Sequence, residues 1–322
     1  MEISVVIIGR NSEHLLRKNY LERPYPELSF AKEIIYVDSD STDNTQKIVN
    51  KLGWKYIGLS SKGRLSAAAG RHIGTIEAKG KYILYMDSDM VLNLLNNQTV
   101  EQLIAKHIKE NTIGISGLTL DVFENGKERM RLKRNKDGDK TDTFGGFVLL
   151  NRKKVLEVGN WNPNVIANEE NELYSRIIKN KGKVVLSKEM LNKHHTDNPK
   201  LSIQLLNLYL PLSPKAKRFY GAPGMGLKSS VKHGSVFQYL YYFNSETILS
   251  FIFFVLSILT LLSSLSVWFK VLTIVLLLSF LIYWTLRKRS IFFLLLCPAY
   301  FLQLIIGFFK YEEKKVIYKT IN

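Results

Sequence analysis

Short apolar runs alternate with polar turns through the first ninety residues. Ile3–Ile8 (ISVVII) is closed by Gly9-Arg10-Asn11, and Asn11 or Ser12 can cap a helix running toward Tyr20. Ile34–Val37 is a second strand-like run. The polar turn Asp38-Ser39-Asp40-Ser41-Thr42-Asp43 follows it, then a helix over Thr45–Leu52. Tyr56–Leu59 reads as a third strand, and Arg64–Ala78 as a helix rich in small residues. Then comes KYILYMDSDM, in which Tyr82–Met86 is apolar throughout and bounded by Gly80 before and acids after. A continuous apolar run of this length reads as a strand buried on both faces of a parallel sheet. Repeated strand–turn–helix units at this spacing predict an α/β, Rossmann-like, mostly parallel sheet.

The pattern changes in the last third. Thr247–Phe269 is 23 residues without a charge, Val271–Leu286 another 16, and Ser290–Phe309 another 20. Tracts near 20 residues match the hydrocarbon thickness of a bilayer, and the shorter one can span if Lys270 and Arg287 snorkel. Four parts follow: a catalytic head over 1–200, a basic amphipathic interfacial segment over 201–245, two to three transmembrane helices over 246–310, and a tail over 311–322. Arg287-Lys288-Arg289 suits the inner side if the first two tracts form a hairpin. Lys310, Lys314, Lys315 and Lys319 favour the inner side too. A third full span would put them outside, and Pro298 is a place where that tract could turn back.

Composition narrows the partners. Among 322 residues the formal net charge is +17, which points to nucleic acid, anionic lipid or a phosphorylated substrate. The lone Cys297 excludes an intramolecular disulfide framework, and Ile3–Ile8 is too short for a signal sequence. The head is expected in a reducing cytoplasm. Two regions carry much of the charge. Arg129–Lys140 holds six bases against two acids, and Lys188–Lys232 holds eight against two. In the second, Leu201–Leu212 beside Lys215, Lys217 and Arg218 suggests an interfacial helix on anionic lipid. The first is a solvated hairpin or a landing place for a phosphorylated acceptor.

The chemistry converges on the end of the organising strand. Asp87 and Asp89, one residue apart, can offer oxygens to one hard cation such as Mg²⁺, which binds one or two carboxylates plus substrate phosphates. Solvated turn acids are the plainer reading of the pair.

The succession SVVIIGRN, EIIYVDSDSTDNT, GRLSAAAGRHIG and YILYMDSDM resembles the nucleotide-binding half of family 2 glycosyltransferases with a GT-A fold. TFGGFVLLNRKKVLEVGNWNPNVIANEENELYSRIIKNKG resembles that family's acceptor half, so the likeness covers roughly 1–200. The resemblance implies a role for each matching residue. Asp38 would accept from the base or ribose of the nucleotide, although Ser39 and Asp40 depart from the family's usual D-D-G-S-T-D. Arg71 would fork onto a phosphate. Asp89 would ligate Mg²⁺ or Mn²⁺, with Asp87 near the ribose or the metal. His195, in preference to His194, would complete the coordination. Glu169-Glu170 stands where the family has E-D, and Glu170, with Glu169 next, would be the base that takes the acceptor's proton. Gly145 and Gly146 would let the backbone approach donor or acceptor. A Q-x-x-R-W sequence, carried by similar processive synthases, is absent, which favours one transfer per binding event.

The expected protein is therefore a membrane-anchored, metal-dependent, inverting glycosyltransferase. It would take a nucleotide-sugar donor and a lipid-linked or cell-surface glycan acceptor, with its catalytic head on the cytoplasmic face of the cell membrane. Two rival classes are a catalytically silent scaffold of the same fold and a nucleic-acid-binding membrane protein. The acids Asp38, Asp87, Asp89 and Glu170 argue against the first. The second is disfavoured because the bases cluster near the predicted membrane and match no reader motif.

Overall fold

In the computed structural model the described strands make a single ten-stranded sheet. The structure describes residues 2–22, 28–131, 135–196, 210–211, 213–264, 266–288 and 292–321. The first half is built as the hydrophobic pattern predicts. β1 (Ile3–Gly9) leads through α1 (Glu13–Leu16) to β2 (Glu33–Asp38). Then come α2 (Thr45–Lys51), β3 (Lys55–Leu59), α3 (Ala67–Glu77) and β4 (Tyr82–Asp87). These four strands pair in parallel in the order β3-β2-β1-β4. Their apolar runs are buried on both faces. Val5, Ile7, Leu84 and Met86 enter one core layer, and Val6, Ile8, Ile83 and Tyr85 the other. Ser66 caps α3 by accepting from Ala69 N at 2.9 Å, and small residues let that helix lie close on β1 and β2.

Beyond β4 the sheet is not the mostly parallel one expected. β5 (Met90–Leu94), α4 (Val100–His107), β6 (Thr112–Phe123), β7 (Glu128–Met130) and β8 (Val148–Asn151) follow. α5 (Arg152–Glu157), α6 (Glu169–Lys179) and β9 (Lys183–Thr196) complete this half. The order continues β4-β8-β6-β9-β5, with β7 on β6. Only β6–β9 is parallel; β4–β8, β8–β6, β9–β5 and β6–β7 are antiparallel. Antiparallel neighbours need no helix-length crossover, and the one parallel pair here, β6–β9, has β7, β8, α5 and α6 between its strands in sequence.

After β9 the described chain is helical: α7 (Pro214–Phe219), α8 (Ala222–Lys232), α9 (Val236–Tyr239), α10 (Ser245–Leu262), α11 (Val267–Lys288) and α12 (Phe292–Lys310). α12 lies directly on α8, where the backbones at Gly221, Gly224 and Gly307 leave no room for a Cβ. Residues 201–209 and 212 of the expected interfacial helix, and Arg289 of the expected inner cluster, lie outside the described residues. Among the described residues no single helix is long and apolar enough to cross a membrane. One bent pair, Val236–Asn244 with Thr247–Leu262 at 79°, passes the same test of length and composition. The apolar segments Val267–Leu276 and Ala299–Lys310 are shorter.

The tail returns to the head. Lys314 N donates to Asn164 Oδ1 at 2.9 Å, Arg64 N to the Lys315 carbonyl at 3.0 Å, and Ser60 N to the Ile317 carbonyl at 2.8 Å. β10 (Tyr318–Ile321) then pairs antiparallel with β3, Lys319 opposite Gly58, and becomes an outer strand of the sheet.

Candidate active site

The carboxyl ends of β2, β1 and β4 stand side by side. Gly9 faces Asp38 on one flank and Ile8 faces Asp87 on the other. Two inter-strand spacings put the Asp38 and Asp87 backbones about 10 Å apart, at the edge where open α/β sheets bind ligands. Asp38 is buried and engaged. Its Oδ2 accepts from Ser41 N at 2.7 Å and from Tyr56 Oη at 3.0 Å, and its Oδ1 accepts from Ser41 Oγ. It therefore caps its own turn, with Asp40 held at φ +64°.

Arg71, on α3, occupies the centre. Its Nη2 donates to Asp87 Oδ1 at 2.6 Å and its Nη1 to Glu169 Oε1 at 2.5 Å, while the guanidinium lies 5.1 Å from the Trp161 ring centroid. Only 2 % of Arg71 is exposed, so the group expected to fork onto a phosphate bridges two protein carboxylates instead. Burial disfavours its charge, but Asp87, Glu169 and Glu170 outweigh that and hold it firmly protonated. Gly146 roofs the pair. A Cβ there would lie 2.6 Å from Arg71 Nη2 and 2.9 Å from Asp87 Oδ2, while Gly145, at φ +66°, turns the chain in open space. Of the two glycines, Gly146 brings backbone against Arg71 and Asp87.

The acidic pair opens α6 beneath this cluster, behind Asn168 in the left-handed region at φ 57°. A helix N-terminus lowers the pKa of a nearby carboxyl. At Glu170 that effect loses: burial, then the charges of Glu169 and Asp87, push its carboxyl up to about 7 despite Arg71. Asp87 is raised as well, by burial and by Asp89 and Glu169. Glu172, one turn along, is fully buried in a two-pronged bond with Arg176 (2.9 and 2.6 Å) and accepts from Ser229 Oγ at 2.7 Å. This bond ties α6 to α8.

Asp89 lies beside the histidine pair, but its partner is His194. His194 Nε2 is 3.5 Å from Asp89 Oδ2, and its Nδ1 is 3.0 Å from Asp121 Oδ1. His195, the expected ligand, gives Asp89 only a backbone contact, its N–H donating to the Asp89 carbonyl at 2.8 Å. Its side chain lines a separate cleft with His14, Lys18, Val122 and Phe123. Adjacent residues of a strand point to opposite faces, so one of the two had to be turned away. Burial works against a proton on His194, yet the Asp89 contact prevails and raises its pKa; burial and Lys18 lower that of His195.

Among the described residues, Asp89 Oδ1 is buried without a hydrogen-bond partner. An unsatisfied carboxylate oxygen beside an imidazole is a donor set that fits Mg²⁺ or Mn²⁺. Asp87, by contrast, has Oδ1 committed to Arg71. Elsewhere a trio, His107, Asp137 and Glu189, brings ligand atoms within 4.8 Å of one another. There Lys106 Nζ already sits 2.9 Å from Asp137 and 2.7 Å from Glu189, which makes it an ion-pair cluster.

Asp121, Trp161 and the Glu172–Arg176 pair were not foreseen. Asp121 sits in an apolar run with no motif to mark it, and Trp161, though within the quoted acceptor-half stretch, has no feature of its own that points to Arg71. Glu172–Arg176 has the i, i+4 spacing of an ion pair, which a reading centred on Glu169 and Glu170 passes over.

The model of the family described as "Glycosyl transferase family 2" matches residues 4–168. The chain belongs to that family. The match takes in β1 through Asn168 and stops one residue before the acidic pair of α6, so a family 2 origin covers Asp38, Arg71, Asp87, Asp89 and the two glycines. No curated protein matches. Among solved structures, the chain is similar to GalNAc-T7 with UDP, GalNAc and Mn²⁺, at 17% identity over 69% of this chain and 48% of that one, with a TM-score of 0.49. It is also similar to S. aureus TarS 1-349 in complex with UDP, at 15% identity over 76% of this chain and 89% of that one, TM-score 0.48. The chain thus spans about half the length of the GalNAc-T7 structure.

Proposed function

We propose that this family 2 chain transfers one sugar, with inversion, from a nucleotide-sugar to a lipid-linked or cell-surface glycan acceptor. One observation carries the reading. Glu170, with its carboxyl at about 7, lies against the Arg71–Asp87–Glu169 cluster at the ligand-binding edge of the sheet. A base poised near the working pH is what removal of a hydroxyl proton requires. Glu170 takes the acceptor's proton, the acceptor oxygen bonds to the anomeric carbon, and the bond from that carbon to the diphosphate breaks on the opposite face. Asp38 holds the turn beside the nucleotide, and Gly146 brings backbone to the sugar. Arg71 fixes Asp87 and moderates the rise at Glu170. Asp89 and His194 would hold a divalent cation, whose Lewis acidity when bound stabilises the leaving diphosphate.

The same reading places the head on the cytoplasmic side of a membrane. Its support is the surface of α10–α12 and their connections, where Leu262, Trp268 and Phe309 are each more than four-fifths exposed. Apolar side chains this exposed suit contact with a partner, and lipid is the partner that their composition suits. Basic residues at the head, with anionic lipid as their partner, fit the same orientation.

The test is donor breakdown and sugar transfer by the full chain in membranes, across a panel of nucleotide-sugars, with and without EDTA. Metal-dependent turnover of one donor is expected. No turnover of any donor would favour the silent scaffold, and turnover undiminished by exhaustive chelation would remove the cation from the reading.

A further inference from the structure

His194 stands between two carboxylates of unlike character. On one side is Asp89, whose Oδ1 is buried and unpartnered among the described residues. On the other is Asp121, on β6, which the strand register sets opposite His194 and which has no exposed surface. Asp121 is fully engaged. Arg131 donates to its Oδ1 from Nε at 2.9 Å and Nη2 at 2.7 Å, and Arg129 Nη2 donates to Oδ2 at 3.1 Å. Both arginines flank Met130 on the short β7 side of the sheet, where Arg129 faces Asp121 in register.

A buried carboxylate held by two guanidiniums is an anion and can only accept hydrogen bonds. Its 3.0 Å contact with His194 Nδ1 is a hydrogen bond in the tautomer that carries its hydrogen on Nδ1. Arg131 Nη2, 2.9 Å from the same nitrogen, can only donate and suits the other tautomer, so Nδ1 has a partner for each; a cation drawing on Nε2 would select the form in which Asp121 accepts. With Nδ1 carrying the hydrogen, the neutral imidazole presents the bare lone pair of Nε2 toward Asp89, as in carboxylate–histidine–metal arrangements.

Resting on the reading of Asp89 and His194 as a cation site, we propose that Asp121 is a positioning residue of that site. It fixes the tautomer and ring orientation of His194 so that Nε2 is offered to the cation, and Arg129 and Arg131 hold Asp121 in place. The role is distinct from that of the ligands, because Asp121 reaches the cation only through the ring.

The test uses the purified full chain in detergent and titrates Mn²⁺ alone, reading free Mn²⁺ by its paramagnetic resonance signal. Melting without metal establishes that each variant is folded. Asp121→Ala should bind Mn²⁺ about 10- to 100-fold more weakly than wild type, the usual cost of losing such a partner. Asp121→Asn, which keeps an acceptor and loses the charge, should fall between. His194→Ala should be at least as weak as Asp121→Ala, and the double variant no weaker than His194→Ala, because Asp121 acts only through the ring. His195→Ala should bind as wild type does.

Unchanged affinity in Asp121→Ala would overturn the proposal. So would a further loss when Asp121→Ala is added to His194→Ala, since that is the mark of a general structural effect. If wild type itself binds no Mn²⁺, the cation reading fails and takes the proposal with it, a result distinct from wild-type binding that Asp121 does not affect. Should Asp121→Ala not fold, Arg131→Lys serves the same purpose. It loses the forked bond, keeps the charge, and should weaken Mn²⁺ in the same direction only while His194 is present.

Discussion

At Glu170 two demands on one carboxyl conflict. Its folded pKa of about 7 lies above the ordinary 4.5, so the fold binds a proton there that the unfolded chain has already lost. The ionised form is therefore penalised. The penalty grows as pH rises from about 4.5 through 7 and is fully present above 7. Catalysis needs that same ionised form. Transfer should rise about tenfold per pH unit below 7 and level off above it, measured as kcat/KM against pH. Glu170→Gln should lower turnover by about 10²–10⁴, with donor binding nearly unchanged. It should also raise the melting temperature at pH 8 and flatten its dependence between pH 5 and 7. If Glu169→Gln is the inactive variant and Glu170→Gln is normal, the base is the neighbour that now pairs with Arg71. Asp89→Ala should abolish transfer while the chain still folds, as seen by an unaltered melting profile alongside lost activity.

At the scale of elements, the site is a meeting of α3, β4, α6 and the Gly145-Gly146 turn, each delivering one part. The glycine turn is the tightest of these joints. Gly146→Ala should destabilise by about 1–3 kcal/mol through overpacking and push Arg71 from Asp87, so that melting temperature and donor turnover fall together. How much of this was legible in the sequence follows from how local each signal is. The first four strands and their helices were readable because Ile3–Ile8 or Tyr82–Met86 must be buried on both faces wherever they lie. Asp87, Asp89 and the glycines stood out through short motifs at strand ends. The antiparallel half was not readable, because β6 and β9 pair across some seventy intervening residues and nothing local marks a partner. The same distance hid Asp121, which matters only once β6 lies beside His194. His194 itself was within reach. Alternation along β9 says that one histidine of the pair faces Asp89, but which one depends on register, and register is a property of the assembled sheet.

At the scale of the whole molecule, the last few residues govern what the apolar helices can do. β10 completes the sheet that holds the active site, so the chain departs from the head after Asn244 and is bound to it again by Lys314–Ile321. A path that begins and ends on one side of a surface pierces it an even number of times. Three apolar tracts and an even count are reconciled only if at least one tract stays on the head's side or turns back. α12, laid along α8 by its glycine contacts, is the tract already fastened to the head. On the proposed membrane placement, Lys314, Lys315 and Lys319, which a third full span would have carried outside, would keep the same side as Asp87 and Glu170. An epitope placed after Asn322 should accordingly be reached from the same face of sealed membranes as one placed in the head. An epitope reached only from the opposite face would mean that β10 and β3 are unpaired in the membrane-bound protein. If the apolar helices enter a membrane as proposed, this parity would make β10, at the edge of the sheet, a counter of their crossings.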